Sequence, residues 1–191
     1  MKPLLILLLL TTSIYGQNVM SVPDYNGHFH DTLEINIKID NVDNFVAFQT
    51  DVVLPTQVTY IPNSAVLTGR SNGHTISATL LPNNVLRILA FSISQSPFLG
   101  DTGSVAKFNV KLKTEPGSYP VELINPIISN ATSTNILSSF TSGSVTIVSP
   151  KINLSPSQID FSRIPLWNST DQNLYIQNLG NSDLIIERVY T

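Results

Sequence analysis

Cysteine is absent from all 191 residues. That removes disulfides, thiolate metal sites and lipid attachment to a cysteine behind a leader. Charge is sparse as well: ten Lys and Arg stand against thirteen Asp and Glu. Arg70, Arg87, Arg163 and Arg188 occur singly. With no basic stripe to displace counterions from phosphates, nucleic-acid binding is set aside. No Gly-x-Ser-x-Gly elbow occurs, and no Asp or Glu stands in a distinctive catalytic frame. The chain reads as a non-enzyme, with no catalytic residue, cofactor or metal site to assign. Past the first residues, no apolar run approaches the roughly 20 residues that cross a bilayer.

The opening run has a different character. Lys2 is followed by the unbroken apolar stretch Leu4 to Leu10, then Thr11, Thr12, Ser13 and the small residue Gly16. This order is that of a secretory signal peptide over residues 1–16. The alternative, an uncleaved anchor, has too short an apolar core to span. The expectation is a secreted or cell-surface protein that starts near Gln17 and is held together by its core alone.

Strand after strand follows. Leu33, Ile35, Ile37 and Ile39 alternate with Glu34, Asn36, Lys38 and Asp40, one face apolar and one wet. Val105–Lys113 repeats the pattern, with Ala106, Phe108, Val110 and Leu112 facing in. Further strands are expected at Val19–Val22, Phe45–Leu54, Val58–Ile61, Thr75–Leu81, Val85–Ser92, Tyr119–Ile124 and Ser144–Val148. Turn formers separate them, including Pro23 to Gly27, Gly69 to Gly73, Gly100 to Gly103 and Glu115 to Ser118. Pro82-Asn83-Asn84 reads as a tight hairpin. The gaps are too short for crossover helices, so the fold class is an all-β antiparallel sandwich. Ser129 to Ser144 reads as a long loop.

At Ser149-Pro150-Lys151 the pattern restarts, with strands expected near Ile152–Leu154, Ile159–Phe161, Leu174–Gln177 and Leu184–Val189. A complete immunoglobulin-type sandwich takes about 100 residues, far more than this second unit holds. The expected organisation is therefore residues 17–149 as one sandwich and 150–191 as a partial domain.

The alternating strand Leu33–Ile39, the turn Asn41 to Asn44, Phe45–Val52 with Leu54-Pro55, Leu86–Phe91 and the turn Gly100 to Gly103 before Val105–Lys113 resemble a cohesin domain. Cohesins are jelly-roll β-sandwiches of nine strands, akin in fold to certain carbohydrate-binding modules. The resemblance implies a module that holds a protein partner, typically a dockerin, through one sandwich face. It carries no individual residue over as a contact. Leu154-Ser155-Pro156, Ile159-Asp160-Phe161, Leu174 to Asn178, Gly180 and Leu184 to Ile186 resemble the opening of an immunoglobulin-like repeat of bacterial surface and ciliary proteins. Two glycines usual there are missing, at Ser162 and at Trp167-Asn168.

Several side chains still merit weighing. Polysaccharide is the alternative partner, within a polysaccharide-degrading system, and Tyr25, Tyr60, Tyr119, Trp167 and Tyr175 are the rings available for stacking. They do not recur at i, i+2 on one strand and read more readily as packing residues. His28 and His30, with Asp24 and Asp31 nearby, would share one face of an extended segment, as metal ligands could. The plainer reading is solvated residues at a turn. Asp40 to Asn44 offers oxygens of the kind calcium takes, but Asp and Asn also dominate ordinary turns. Asp51 is the acid to inspect for burial, since it lies in an apolar strand. Asn130-Ala131-Thr132 and Asn168-Ser169-Thr170 are glycosylation acceptors in a eukaryotic source. A third class of function is a spacer holding other domains apart.

Overall fold

The computed structural model describes residues 16–113 and 116–190. The leader lies outside them, apart from Gly16. Two six-stranded sheets pack face to face. The first has the order β11 (Ser139–Thr141), β1 (Val19–Ser21), β3 (Thr32–Asp40), β9 (Ser104–Leu112) and β5 (Val58–Tyr60), with β6 (Val66–Leu67) also pairing β9. The second runs β2 (Tyr25–His28), β12 (Gly143–Val148), β10 (Gly117–Ser129), β4 (Ala47–Val53), β8 (Val85–Phe91) and β7 (Thr75–Leu81). This is an all-β jelly-roll sandwich.

The alternating faces explain the core. Ile35, Ile37 and Ile39 of β3 and Val105, Phe108, Val110 and Leu112 of β9 are buried. They meet Phe48 and Val52 of β4, Leu86, Ile88 and Ala90 of β8, and Val121, Leu123 and Ile128 of β10. Phe45, stacked on Phe98 with centroids 4.7 Å apart, fills one end. At roughly 25 cal/mol per Å² of apolar surface removed from water, such a core supplies the main driving force without any crosslink.

Two ladders depart from the antiparallel expectation. β1 runs parallel to β11, and β2 runs parallel to β12. The cause is that both ends of the sandwich chain change sheets. The N-terminal strand crosses at Pro23 and the C-terminal one at Ser142-Gly143, side by side. A Cβ on Gly143 would lie 2.3 Å from the Pro23 carbonyl oxygen, so only glycine admits this approach.

The hairpin at Pro82–Asn84 forms, with Asn83 and Asn84 both at positive φ. The Asn84 amide ties the hairpin to the carbonyls of Leu54, Pro55 and Val58. Tyr25–Gly27, expected as a turn, is strand β2, and the expected loop 129–144 contains β11. Among the described residues beyond Ser149 the strands are β13 (Ile152–Ser155) and β14 (Tyr175–Asn178), paired with each other. Ile159–Phe161 and Leu184–Val189 are not strands. The two-stranded ribbon has exposed residues throughout and offers them no packed face.

Candidate binding face

The outward surfaces of the two sheets differ in kind. On the first, Glu34, Asn36 and Lys38 of β3 lie beside Lys107 and Asn109 of β9, and Glu34 and Lys107 form an ion pair at 2.8 Å. On the second, register sets four cross-sheet rows. Glu122, Val53, Val85 and Leu81 form one row; Ile124, Asp51, Arg87 and Thr79 form the next. Ile127, Gln49, Leu89 and Ser77 follow, then Ser129, Ala47, Phe91 and Thr75. Half of these sixteen positions are apolar, and Thr75, Ser77 and Thr79 place hydroxyls along the β7 edge. A shallow depression of about 220 Å³ opens between Ala47, Gln49, Leu89, Ile127 and Ser129.

Asp51 is in the middle of that face, and its carboxylate is buried. Arg87 grips both carboxylate oxygens, Nε on Oδ1 and Nη2 on Oδ2, each at 2.7 Å. The Arg87 hydrogen bond holds the Asp51 carboxyl below its usual range, against the opposing pull of burial, and the Asn125 side chain assists. Asn125 reaches it from a β-bulge: the β10–β4 register shifts between Ile124 and Ile127, and Asn125 takes φ 50°. The Arg87 side chain stays half exposed over Asp51, at 48%. Asp51 is thus a buried strand-face acid, and the partner that neutralises it escaped the sequence reading. The available signal was Arg87 itself, the one charge in the otherwise apolar β8 run Val85-Leu86-Arg87-Ile88-Leu89-Ala90-Phe91.

The other candidates are dispersed. β2 ends at His28, and His30 has φ 70° in the turn beyond, its ring tilted 30° against Phe29 with centroids 3.5 Å apart. The extended geometry that would align the two imidazoles is therefore interrupted. Asp31 caps the His28 N–H at 2.6 Å, and Asp24 accepts from the Ser144 hydroxyl at 2.8 Å. Among the described residues no group of three or more His, Asp or Glu is placed to hold a metal.

The Asp40 to Asn44 turn is a hydrogen-bonded junction. Asp40 accepts from the Thr102 hydroxyl and the Gly103 N–H. Buried Asn18 accepts from the N–H groups of Val42 and Asp43 and donates to the Asp43 carboxylate. Arg70, isolated from other basic residues in the sequence, reaches in to the carbonyls of Ile39, Leu99, Gly100 and Gly103 and to the Asn41 side chain. One carboxylate oxygen of Asp40, one of Asp43 and the Asn41 amide oxygen thus each accept from protein donors.

Of the five rings, Tyr60 is buried, and Tyr25 and Tyr119 pack against the core. The Tyr25 hydroxyl accepts the Asn36 N–H at 2.8 Å. Trp167 and Tyr175 are exposed beyond Ser149. Asn130 turns its amide oxygen to the Thr132 N–H and hydroxyl, closing a local turn, while Asn168 is exposed.

Among solved structures the backbone has clear counterparts. The sixth cohesin of Acetivibrio cellulolyticus scaffoldin B, determined with a Cel5 dockerin, superposes with a TM-score of 0.61 over 69% of this chain and 99% of its own, at 16% identity. The non-cellulosomal cohesin of the archaeon Archaeoglobus fulgidus gives 0.60 over 70% and 93%, at 13% identity. The fold is cohesin-like. A third counterpart, the OlpC cohesin of Clostridium thermocellum in its Doc435 complex, gives 0.58 over 72% and 97%, at 13% identity. No protein-family model and no curated relative matches the sequence. At such identities the shared property is the cohesin-like sandwich itself. Among the described residues no helix is long and apolar enough to cross a membrane.

Proposed function

We propose that this chain is a non-catalytic docking module, exported to the cell surface or medium, that binds a protein through the outer face of β10-β4-β8-β7. The observation that carries the reading is the contrast between the two outer faces. One sheet shows water the charged residues expected of a solvated surface. The other shows Val53, Val85, Leu89, Phe91, Ile124 and Ile127 around the Asp51–Arg87 pair, with Glu122 as its one further charge. An aliphatic face with a polar rim has the composition of a protein interface. A dockerin is the partner class to test first, since two of the cohesin counterparts above were determined with dockerins and share this fold. Residues 17–149 form the module in this reading. Residues 150–191 begin an immunoglobulin-like unit.

The polysaccharide and spacer readings predict different outcomes in one experiment. Full-length protein is titrated calorimetrically with a panel of dockerin modules, beside Leu89→Asp, and is separately mixed with insoluble polysaccharides. Docking predicts saturable binding to a dockerin that Leu89→Asp weakens at least about tenfold, as a charge buried at an interface centre does. Binding that ignores Leu89→Asp would move the site off this face. Depletion by polysaccharide alone would support the glycan reading, and no binding at all the spacer.

A further inference from the structure

Each sheet has open edges, and the chain treats them unequally. β5 spans three residues between Pro55 and Pro62, and β11 also spans three. β2 spans four, and Asp31 occupies the His28 N–H at its end. Short strands, prolines and polar caps of this kind stop an edge from templating another strand. β7 has none of them. Its seven residues, Thr75-Ile76-Ser77-Ala78-Thr79-Leu80-Leu81, include no charge and no proline, and its ladder to β8 is unbroken.

The free groups of this edge can be read from the ladder. The Ser92 N–H donates to the Val46 carbonyl, so even-numbered residues of β8 bond β4 and odd-numbered ones bond β7. Thr75, Ser77, Thr79 and Leu81, which oppose the odd-numbered residues, therefore complete the ladder. Ile76, Ala78 and Leu80 turn their N–H and C=O groups to the open side. Leu80 is 49% exposed there.

We infer that β7 pairs antiparallel with β7 of a second copy of this chain, joining two sandwiches edge to edge. The strand is self-complementary about Ala78. A two-fold axis there sets Ala78 opposite Ala78, Ile76 opposite Leu80 and Ser77 opposite Thr79 of the other copy. No like charges meet, the smallest side chain lies on the axis, and hydroxyls face hydroxyls on the outer surface. A hetero-partner strand would need specificity pockets along the edge, whereas a uniform uncharged strand suits its own copy. The dimer is independent of the docking reading, because it uses the backbone edge and not the outer face.

The absence of cysteine gives a register-specific test on the full-length chain. Sedimentation velocity over a concentration series is expected to show a reversible monomer–dimer equilibrium. Ala78→Pro removes the two N–H donors exchanged on the axis without touching the ladder to β8, so it should weaken the dimer about tenfold or more while circular dichroism is unchanged. Under mild oxidation, a mixture of Ser77→Cys and Thr79→Cys chains should form a disulfide-linked heterodimer, because the opposed Cα atoms lie about 4.5 Å apart. Neither variant should crosslink alone, since like positions lie beyond the ~7 Å disulfide limit. A chain monomeric up to millimolar concentration overturns the inference. So does association that Ala78→Pro leaves unchanged, as pairing through the exposed residues after Ser149 would. If Ala78→Pro does not fold, the cysteine pair decides: crosslinking in the mixture alone supports the dimer, and any other pattern refutes it.

Discussion

Asp51 and Arg87 oppose each other across the β4–β8 ladder, and the guanidinium covers a carboxylate that water barely reaches. The pair is asymmetric, with the acid buried and the base half exposed. Losing each partner should therefore differ in cost. In Asp51→Asn the neutral amide keeps hydrogen-bonding capacity and Arg87 turns to solvent. In Arg87→Leu a buried carboxylate remains with Asn125 as its main donor, which is the costlier state. Chemical denaturation should rank Arg87→Leu below Asp51→Asn in stability. Because the folded-state pKa of Asp51 is depressed, its contribution is present above the ordinary carboxylate value and lost as pH falls through the folded one. Wild type should accordingly lose stability below about pH 4 more steeply than Asp51→Asn.

His74 sets a second pH dependence on the same acid side, beginning at higher pH. Its ring lies 3.6 Å from the Phe98 centroid, and its Nδ1 accepts the Asn72 N–H at 3.0 Å. A proton on Nδ1 would face that N–H, so the folded state requires the neutral imidazole. Burial pushes its pKa below the usual value, with the Val46 backbone offsetting part of the effect. The unfolded chain then binds the extra proton first. Stability is full above about pH 6.5 and falls as pH drops toward the folded-state pKa. Urea midpoints at pH 7.5 and pH 5 should differ for wild type and converge for His74→Phe. Equal slopes in both proteins would remove His74 as the source.

Thr50 gives a stabilising prediction. Its side chain points from β4 into the core between Phe48 and Val52, and its buried hydroxyl has no hydrogen-bond partner. Valine has the same shape without the unsatisfied hydroxyl. Thr50→Val should raise stability by roughly 1 kcal/mol, read as a higher denaturant midpoint at unchanged slope. Unchanged or reduced stability would mean that the hydroxyl is satisfied in solution.

Legibility in the sequence followed burial. β3 and β9 bury one face each, so Leu33–Ile39 and Val105–Lys113 alternate in plain view. β4, β8 and β10 carry apolar residues on both faces, and periodicity alone does not distinguish a core side chain such as Ile88 from an outward one such as Leu89. The apolar outer positions of this sheet are hidden for that reason, although the strands are not. β2 was read as a turn because Gly27 and Asn26 are turn formers. In the strand Gly27 faces the core, where a Cβ would crowd the ends of the Leu112 and Leu33 side chains. The partners of Arg70 and Arg87 are set by register across 29 to 36 positions, which no local pattern encodes.

Arg70 shows what such a long-range contact contributes. Its guanidinium donates to four carbonyls and to the Asn41 side chain, over the Phe45 ring at 5.8 Å. It thereby binds together the turns at 40–44 and 99–103, which form one end of the sandwich. Lysine carries the charge but not the planar fork, so Arg70→Lys should behave as a disruptive change. Hydrogen bonds to a charged donor are worth about 1.5–3 kcal/mol each and do not add fully, so a loss of about 3 kcal/mol is expected. The same hub makes a prediction about calcium. If Asn18 and Arg70 are what order the Asp40 to Asn44 turn, calcium and a chelator should leave the wild-type melting temperature unchanged, while Arg70→Lys lowers it. A calcium-dependent rise that survives in Arg70→Lys would show that the turn oxygens bind the ion in place of these donors.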